Sequence, residues 1–359
     1  MDFALDDSAI AIRDVADDVF ARRQPDWEST FGSHPFDDEL WRALVDAGLL
    51  ALPLPADLDG DEIGVLGLLP LLRRAGQSAA VVPLLGTLTA ALVFARSGAN
   101  AWQRWPEALT GGSWAAVAIG EQGDNLTATP HTSVRGGRLN GTKTGVLHAE
   151  GAAVLLVASD AGVVVVPADA DGVTITRTTT SSGWGEYTVV FDDVEVDDAD
   201  IVTRDLGVLR DHYRLALCAY ADGLVAGATR LTADHVSTRE QFGKPIALFQ
   251  AVGQQLADIY VIGRSLDLPT TSAAWRLDEG LSAADDLAIG SYWVAEEVPA
   301  TMRTMTHLHG GIGVDITYPL HRYFSIAKDL ARLTGGAAAR LDELADVRDV
   351  ATEEVADVH

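Results

Sequence analysis

A run of side chains in the second half of the chain suits the binding of a phosphate-bearing aromatic ligand. The run reads REQFGKPIALFQAVGQQLADI and begins at Arg239, whose forked guanidinium matches the oxygens of a pyrophosphate. The amides of Gln241 and Gln250 can hydrogen-bond phosphate or ribose oxygens. The rings of Phe242 and Phe249 can pack against adenine or a dimethylbenzene ring, or can belong to a hydrophobic core. Taken together, the set predicts a cofactor-binding segment.

A second segment, HLHGGIGVDITYPLHRYF, begins at His307 and concentrates glycine. Gly310, Gly311 and Gly313 have no side chains, so the backbone there can approach a cofactor closely, although a plain turn uses the same residues. His307 and His309 lie two positions apart and have no matching ligand cluster. The sequence therefore predicts a second cofactor-binding segment and no metal site.

Hydrophobic spacing divides the chain into three parts. Residues 1–112 carry apolar residues at helical spacing, and residues 206–359 do so again. Between them, residues 113–205 carry short runs rich in Val and Thr, separated by Gly, Asp and Asn. The sequence predicts an N-terminal α-helical domain, a middle antiparallel β domain and a C-terminal four-helix bundle, with boundaries at these positions.

The composition excludes several classes of function. A net charge of -26 over 359 residues opposes binding to nucleic acid or an anionic membrane, because phosphate recognition needs clustered Lys and Arg. The single cysteine, Cys218, permits no disulfide framework or cysteine-based zinc site within the chain. The apolar runs are short and the acidic N-terminal segment has no signal pattern, so we expect a cytoplasmic protein.

These motifs, in this order, resemble the acyl-CoA dehydrogenase family over nearly the whole chain. ELWRALVDAGLLALPLP and GTKTGVLHAEGAAVLLVAS also fit that family. The resemblance implies an acyl-CoA dehydrogenase-like fold, FAD as cofactor, an acyl-CoA substrate and electron-transferring flavoprotein as the acceptor. It implies that the two segments contact the flavin of a neighbouring subunit, in trans, with His307 standing where the family usually has Gln. The implied cofactor-binding residues are Arg239, Gln241, Phe242, Phe249, Gln250, His307, Gly310, Gly311 and Gly313.

The same resemblance reveals a departure at the catalytic base. The family uses a Glu, and the two positions at which its branches place that Glu are occupied here by Thr317 and Tyr213. Neither side chain suits removal of a thioester α proton near neutral pH, since even the phenol has an ordinary pKa of about 10. Asp211 lies nearby, but two positions along a helix amount to a turn of roughly 200°. We expect no catalytic residue in this chain, with Asp211 as the alternative in a self-sufficient enzyme.

Elements that act in cis, on a chain's own flavin, differ as well. The loop Gly120–Leu126 lacks the family's hydroxyl pattern, Val146–His148 lacks its aromatic and Ile–Thr residues, and Leu333–Ala337 replaces its Gly–Thr–x–Glu–Ile turn. This division resembles the smaller, catalytically incomplete subunit of actinobacterial heterotetrameric acyl-CoA dehydrogenases that act on steroid side chains in cholesterol degradation. It implies an α2β2 assembly in which the partner subunit carries the catalytic Glu. A non-catalytic scaffold on the same fold is a further alternative.

Small residues on the first helix of the predicted bundle bear on the substrate. Ala219, Ala221 and Gly223 could leave room between helices for a bulky ligand such as a steroid. Small residues on a helix more often allow a neighbouring helix to pack closely, so both interpretations stay open.

Overall fold

The computed structural model describes residues 5–23, 36–58, 60–97 and 111–356, with side chains through residue 346. Within these ranges the N-terminal part forms helices α1 (Asp7–Ala21), α2 (Asp38–Asp46), α3 (Val65–Gln77) and α4 (Leu84–Ser97). Asp6 and Asp37 cap the first two helices, because their carboxylates accept the backbone N–H groups of Ala9 at 2.7 Å and Leu40 at 2.9 Å. The predicted N-terminal helical part is therefore confirmed over the described residues.

Two four-stranded sheets follow. The first contains β1 (Ala115–Ala118), β4 (Val154–Ser159), β5 (Gly162–Pro167) and β8 (Ile201–Thr203) in that order. The second has the order β2 (Ser133–Arg135), β3 (Arg138–Leu147), β7 (Glu186–Glu195) and β6 (Val173–Thr178). The pairs are antiparallel as predicted, except that β1 runs parallel to β4. The parallel pair is allowed because the chain visits the second sheet between the two strands.

Strand β4 is buried on both faces, because the first sheet lies between the second sheet and the helices. Leu155 and Val157 belong to the core shared by the two sheets. Val154, Leu156 and Ala158 point the other way, into the core shared with the helices. This alternation is the period of two that a strand imposes on its side chains, and it explains why β4 is apolar throughout.

The C-terminal part forms α5 (Leu206–Thr238), α6 (Gln250–Asp278), α7 (Ala284–His309), α8 (Pro319–Leu333) and α9 (Ala337–Ala356). A short hairpin, β9 (Glu240–Gln241) and β10 (Lys244–Pro245), connects α5 to α6. Helices α5 to α8 form the predicted bundle, and α9 packs on α7 as an additional helix. The division into three domains stays a prediction, because one hydrophobic core continues from the N-terminal helices through the first sheet into the bundle. Within the described ranges, no helix is both long and apolar enough to cross a membrane.

Helices α3 and α5 pack at backbone contact distance. A Cβ atom added to Gly223 would lie 1.9 Å from the carbonyl oxygen of Arg73, and one added to Gly76 would lie 2.0 Å from that of Tyr220. Ala219 and Ala221 beside this contact are fully buried. The small residues of α5 therefore serve close helix packing rather than space for a ligand.

We expect Gly223→Ala to lower the free energy of unfolding by about 1–3 kcal/mol or more, because the new methyl group forces α3 and α5 apart. Gly253→Ala is a matched control, since a Cβ at that position in α6 meets no atom within 4 Å. There the substitution is expected to stabilise the helix by up to about 1 kcal/mol. Urea unfolding measures both changes, and equal changes at the two positions would contradict the close contact.

Candidate cofactor site

The hairpin between α5 and α6 places an aromatic ring in an unfavourable position. Its two turn residues, Phe242 and Gly243, have φ values of 54° and 76°, the left-handed pair that a type I′ turn needs. Glycine adopts this conformation readily, whereas a bulky side chain is strained in it by about 1–3 kcal/mol. The Phe242 side chain is nevertheless 94% exposed. A strained and exposed phenylalanine is typical of a residue whose partner lies outside its own chain.

The other residues of this segment lie beside the Phe242 ring without covering it. Phe249, at the start of α6, is half-buried and meets Phe242 edge to face with ring centroids 6.2 Å apart. The ammonium group of Lys244 lies 4.4 Å from the centroid of the Phe249 ring. Gln241 and Gln250 are exposed on either side. The interpretation of Phe242 as a hydrophobic core residue is therefore wrong. Phe249 is half-buried and packs against the hairpin.

Arg239 ends α5, and its backbone N–H donates to the carbonyl of His235 at 2.8 Å. Its side chain is exposed, and among the described residues no carboxylate pairs with it. In a chain with a net charge of -26, an arginine without a carboxylate partner is available to an external anion.

The glycine segment forms the end of α7 and the short 3-10 helix Gly310–Val314. A Cβ on Gly310 or Gly311 would meet no atom within 4 Å, so both positions are open to an approaching group. Gly313 is different, because its Cβ would lie 2.7 Å from the Thr306 carbonyl oxygen. The first two glycines fit the predicted close approach of a cofactor, whereas Gly313 is required by the packing of the chain itself. His307 is exposed on the last turn of α7.

The two segments meet at one end of the bundle. The rings of His235 on α5 and His309 on α7 stack with centroids 4.3 Å apart and planes inclined by 23°. His235 lies one helical turn before Arg239, and His309 lies directly before Gly310. The structure therefore brings the arginine segment and the glycine segment together, and each of them is largely exposed.

The positions considered for a catalytic base are unsuitable. Tyr213 is only 3% exposed, and burial, with the nearby Glu186 carboxylate, raises the pKa of its phenol. Thr317 is exposed and its hydroxyl donates to Asp315 at 2.8 Å, so it lies outside any desolvated pocket. Burial raises the pKa of the Asp211 carboxyl, which would favour a base, but the ion pair with Arg210 at 3.1 Å opposes this shift and occupies the carboxylate.

Sequence reasoning missed Thr334, which the structure places in the interior. Its side chain is fully buried and donates to the Leu330 carbonyl at 2.9 Å. The turn that follows packs on the β layer, where Asn125 donates to the carbonyl of Arg332 at 2.5 Å. The signal in the sequence is the Thr-Gly-Gly stop of α8. A hydroxyl at this buried position cannot serve as a carboxylate base.

The interface between the β layer and the helices is closed by the chain's own side chains. Trp184 is 3% exposed and meets Tyr220 edge to face at 5.5 Å. Leu147 and His148 of the second sheet complete the closure. The cavity enclosed there has a volume of only about 10 Å³, which is marginal for one water molecule. No flavin ring fits in that space.

The loop that begins at Gly120 is fixed by a buried ion pair. The ammonium group of Lys143 is inaccessible to solvent and lies 2.7 Å from the Glu121 carboxylate. Burial raises the pKa of Glu121, but hydrogen bonds from Lys143, His131 and Thr132 outweigh this effect and bring the pKa to about 2. All these donors belong to the chain itself, so the carboxylate is fully used in holding the loop.

The buried side chain of His148 should make the stability of the chain depend measurably on pH. Burial lowers its pKa from 6.5 to about 3, so below pH 6.5 the unfolded chain takes up a proton that the folded chain refuses. The free energy of unfolding should therefore decrease as the pH is lowered. At pH 5 the contribution of His148 to this decrease should be about 2 kcal/mol. His148→Asn tolerates the φ of 55° and should reduce the loss between pH 7 and pH 5. A dependence on pH in His148→Asn identical to that of the wild type would contradict the assignment.

The chain matches known proteins along most of its length. Residues 209–346 match the model of the acyl-CoA dehydrogenase C-terminal domain. The chain is 47% identical over 310 residues to Acyl-CoA dehydrogenase FadE28 of Mycobacterium tuberculosis, covering 86% of this chain and 91% of that protein. The ChsE4-ChsE5 complex from Mycobacterium tuberculosis contains a chain that matches with a TM-score of 0.88 and 34% identity, covering 98% and 99% of the two chains. A variant of the Tcur3481-Tcur3483 steroid ACAD matches with a TM-score of 0.87 and 31% identity, covering 96% and 98%.

Proposed function

Because the chain belongs to the acyl-CoA dehydrogenase family, we propose that it is one subunit of a hetero-oligomeric enzyme that desaturates a CoA thioester with FAD. In this proposal the chain supplies the trans contacts to a flavin held mainly by a partner subunit. The partner supplies the carboxylate base and the pocket for the flavin ring.

The observation that carries the proposal is the contrast between an exposed cofactor segment and a closed interior. Arg239, Phe242 and Gly310 lie exposed at one end of the bundle. The interface between β layer and helices has a cavity of about 10 Å³ in this chain. A subunit with this exposed segment can complete a neighbour's flavin site, and among the described residues the space beside Leu147 and His148 is too small for a flavin ring.

The exposed residues fit the parts of FAD that a trans contact would reach. Arg239, without a carboxylate partner among the described residues, suits the pyrophosphate. Phe242 offers an exposed ring to the adenine or the dimethylbenzene edge, and contact would offset the strain of its turn. Gly310 and Gly311 leave open space in which the backbone can approach the cofactor. Gln241, Gln250 and His307 add exposed hydrogen-bonding groups beside these residues.

When bound, FAD accepts the β hydride of the thioester. The matching removal of the α proton needs a carboxylate in a desolvated pocket. In this chain Tyr213 is buried but is not a carboxylate, Thr317 is exposed, and the Asp211 carboxylate is engaged by Arg210 at 3.1 Å. The base is therefore assigned to the partner, and this chain holds the cofactor end and supports the fold of the assembly.

The substrate proposed is a steroid-CoA with a short side chain, as in cholesterol catabolism. Support comes from the similarity to the steroid ACAD structure and to a chain of the ChsE4-ChsE5 complex, each over at least 96% of this chain. Each of these two structures is named for two proteins, ChsE4 with ChsE5 and Tcur3481 with Tcur3483, which supports a partner subunit here. The assembly we propose is an α2β2 heterotetramer. Electron-transferring flavoprotein is the expected acceptor.

Co-expression with a neighbouring acyl-CoA dehydrogenase gene tests the proposal. The expected result is a complex of two kinds of chain that contains FAD and desaturates a steroid-CoA, while this chain alone contains no FAD. A Glu→Gln change at the partner's base should abolish turnover without releasing FAD. Turnover of an acyl-CoA by this chain alone would instead support the self-sufficient enzyme, and complexes without FAD would support the scaffold.

A further inference from the structure

We propose that the stacked rings of His235 and His309 position the two cofactor segments relative to each other, so that their protonation weakens the hold on FAD. The inference rests on the proposed function, because it concerns how the same trans contacts are held. His235 and His309 are positioning residues, since they act through Arg239 and Gly310 rather than by touching the cofactor.

The stack joins the two segments directly. The backbone carbonyl of His235 accepts a hydrogen bond from the backbone N–H of Arg239 at 2.8 Å. The position of this helical turn therefore fixes the position from which the Arg239 side chain extends. His309 is the last residue of α7, and the chain turns at Gly310 with a φ of 67°. The ring centroids lie 4.3 Å apart with planes inclined by 23°. A shift of either ring therefore changes the separation between the arginine segment and the glycine segment.

The hydrogen bonds of His309 define its neutral form. Its Nδ1 lies 2.9 Å from the Met305 carbonyl oxygen, and a carbonyl only accepts, so Nδ1 carries the proton. Nε2 then carries the lone pair, and the backbone carbonyl of Leu231 on α5 lies near the ring. The far side of the ring meets Tyr318 with centroids 5.4 Å apart. The ring is thus held between His235 and Tyr318 in one orientation.

The charged and titratable groups around the pair favour two neutral rings. Burial, His309 and Arg239 lower the pKa of His235, in that order. Burial also lowers the pKa of His309, and Tyr318 on its far side is a neutral phenol at physiological pH. Acidification places positive charge on adjacent rings and beside the Arg239 guanidinium. Two like charges at this separation repel, so the stack opens and the two segments move apart.

Binding of FAD to the two-subunit complex tests the proposal. His235→Ala removes the ring contact and should raise the Kd for FAD roughly tenfold at pH 7, because the two segments lose their fixed separation. His235→Phe keeps a stacking ring that cannot be protonated. It should retain the wild-type affinity at pH 7 and lose the weakening that the wild-type complex shows at pH 5. His131→Ala, on the β layer, is the control and should follow the wild-type profile.

Hydrogen exchange of the chain alone provides a second, cofactor-independent measurement. His235→Ala should speed exchange of the Gly310–Val314 amides several-fold, while His235→Phe should leave their exchange unchanged. Wild-type affinity and pH profile in His235→Ala would overturn the positioning role while leaving the proposed function intact. If the wild-type complex holds no FAD, the proposed function fails. Hydrogen exchange then tests the positioning role of the stack by itself, and unchanged exchange rates in His235→Ala would overturn that role.

Discussion

Replacing Arg239 by alanine in the assembled two-subunit enzyme is expected to weaken FAD binding by about 10- to 1000-fold. A charge-assisted hydrogen bond contributes about 1.5–3 kcal/mol, and a guanidinium can make two to a pyrophosphate. Arg239 is exposed and, among the described residues, has no carboxylate partner whose loss would disturb the fold. The loss of affinity is measured by diluting the complex and recording the rise in FAD fluorescence as the cofactor is released.

The control for this experiment is Arg177→Ala, which removes an equally exposed guanidinium from strand β6. That variant should bind FAD as the wild type does, because a change in overall charge alone is screened at physiological salt. The melting temperature of the Arg239→Ala complex measured in excess FAD should stay close to that of the wild type. Unchanged FAD affinity in Arg239→Ala would remove this residue from the cofactor site and leave Phe242 as the main trans contact.

Replacing Arg214 by methionine is expected to lower the free energy of unfolding by about 3–5 kcal/mol. The guanidinium is 2% exposed, donates to both Glu343 oxygens at 2.6 and 2.8 Å, and donates through Nε to Ser291 at 2.6 Å. It thereby joins helices α5, α7 and α9. Without it, the half-buried carboxylate of Glu343 keeps the contact to Arg340 at 2.5 Å and the weaker attraction of Arg210. Chemical denaturation of the purified chain measures the loss.

The double variant Arg214→Met with Glu343→Gln separates the ion pair from the packing. Removing both charges of the pair should restore part of the lost stability, because the amide oxygen of the new glutamine can still accept from the buried Arg340. Burial raises the pKa of Glu343, but the bonds from Arg214 outweigh it and lower the pKa below 4.5. The pair therefore stabilises the fold above that pH and loses its effect on further acidification. A double variant no more stable than Arg214→Met would show that packing, not charge, is the cause.

Patterns that depend on one element were predictable from the sequence. The Val-rich run of β4 and the apolar spacing of α5 follow from the periods of strands and helices. Strand β2 carries no apolar pattern, because it is three residues long and partly exposed. The predicted antiparallel arrangement does not extend to β1 and β4, which pair in parallel, because the pairing is decided by how the chain crosses between two sheets.

The candidate site shows the same limit. The motif around Arg239 and Phe242 was readable because residue types carry its chemistry. The stack of His235 on His309 was not, since it joins residues far apart in the chain. Burial also differs between two threonines of the C-terminal part: Thr317 is exposed, whereas Thr334 is fully buried. Residue identity alone does not report which of two threonines faces the interior.

The ratio of FAD to protein tests the central claim most directly. Absorbance and native mass spectrometry measure it for this chain alone and for its complex with a partner dehydrogenase. We predict no bound FAD in the chain alone and one FAD for each pair of different chains in the complex. One FAD per chain in the isolated protein would contradict the claim, because it would require a complete flavin site that this chain builds by itself.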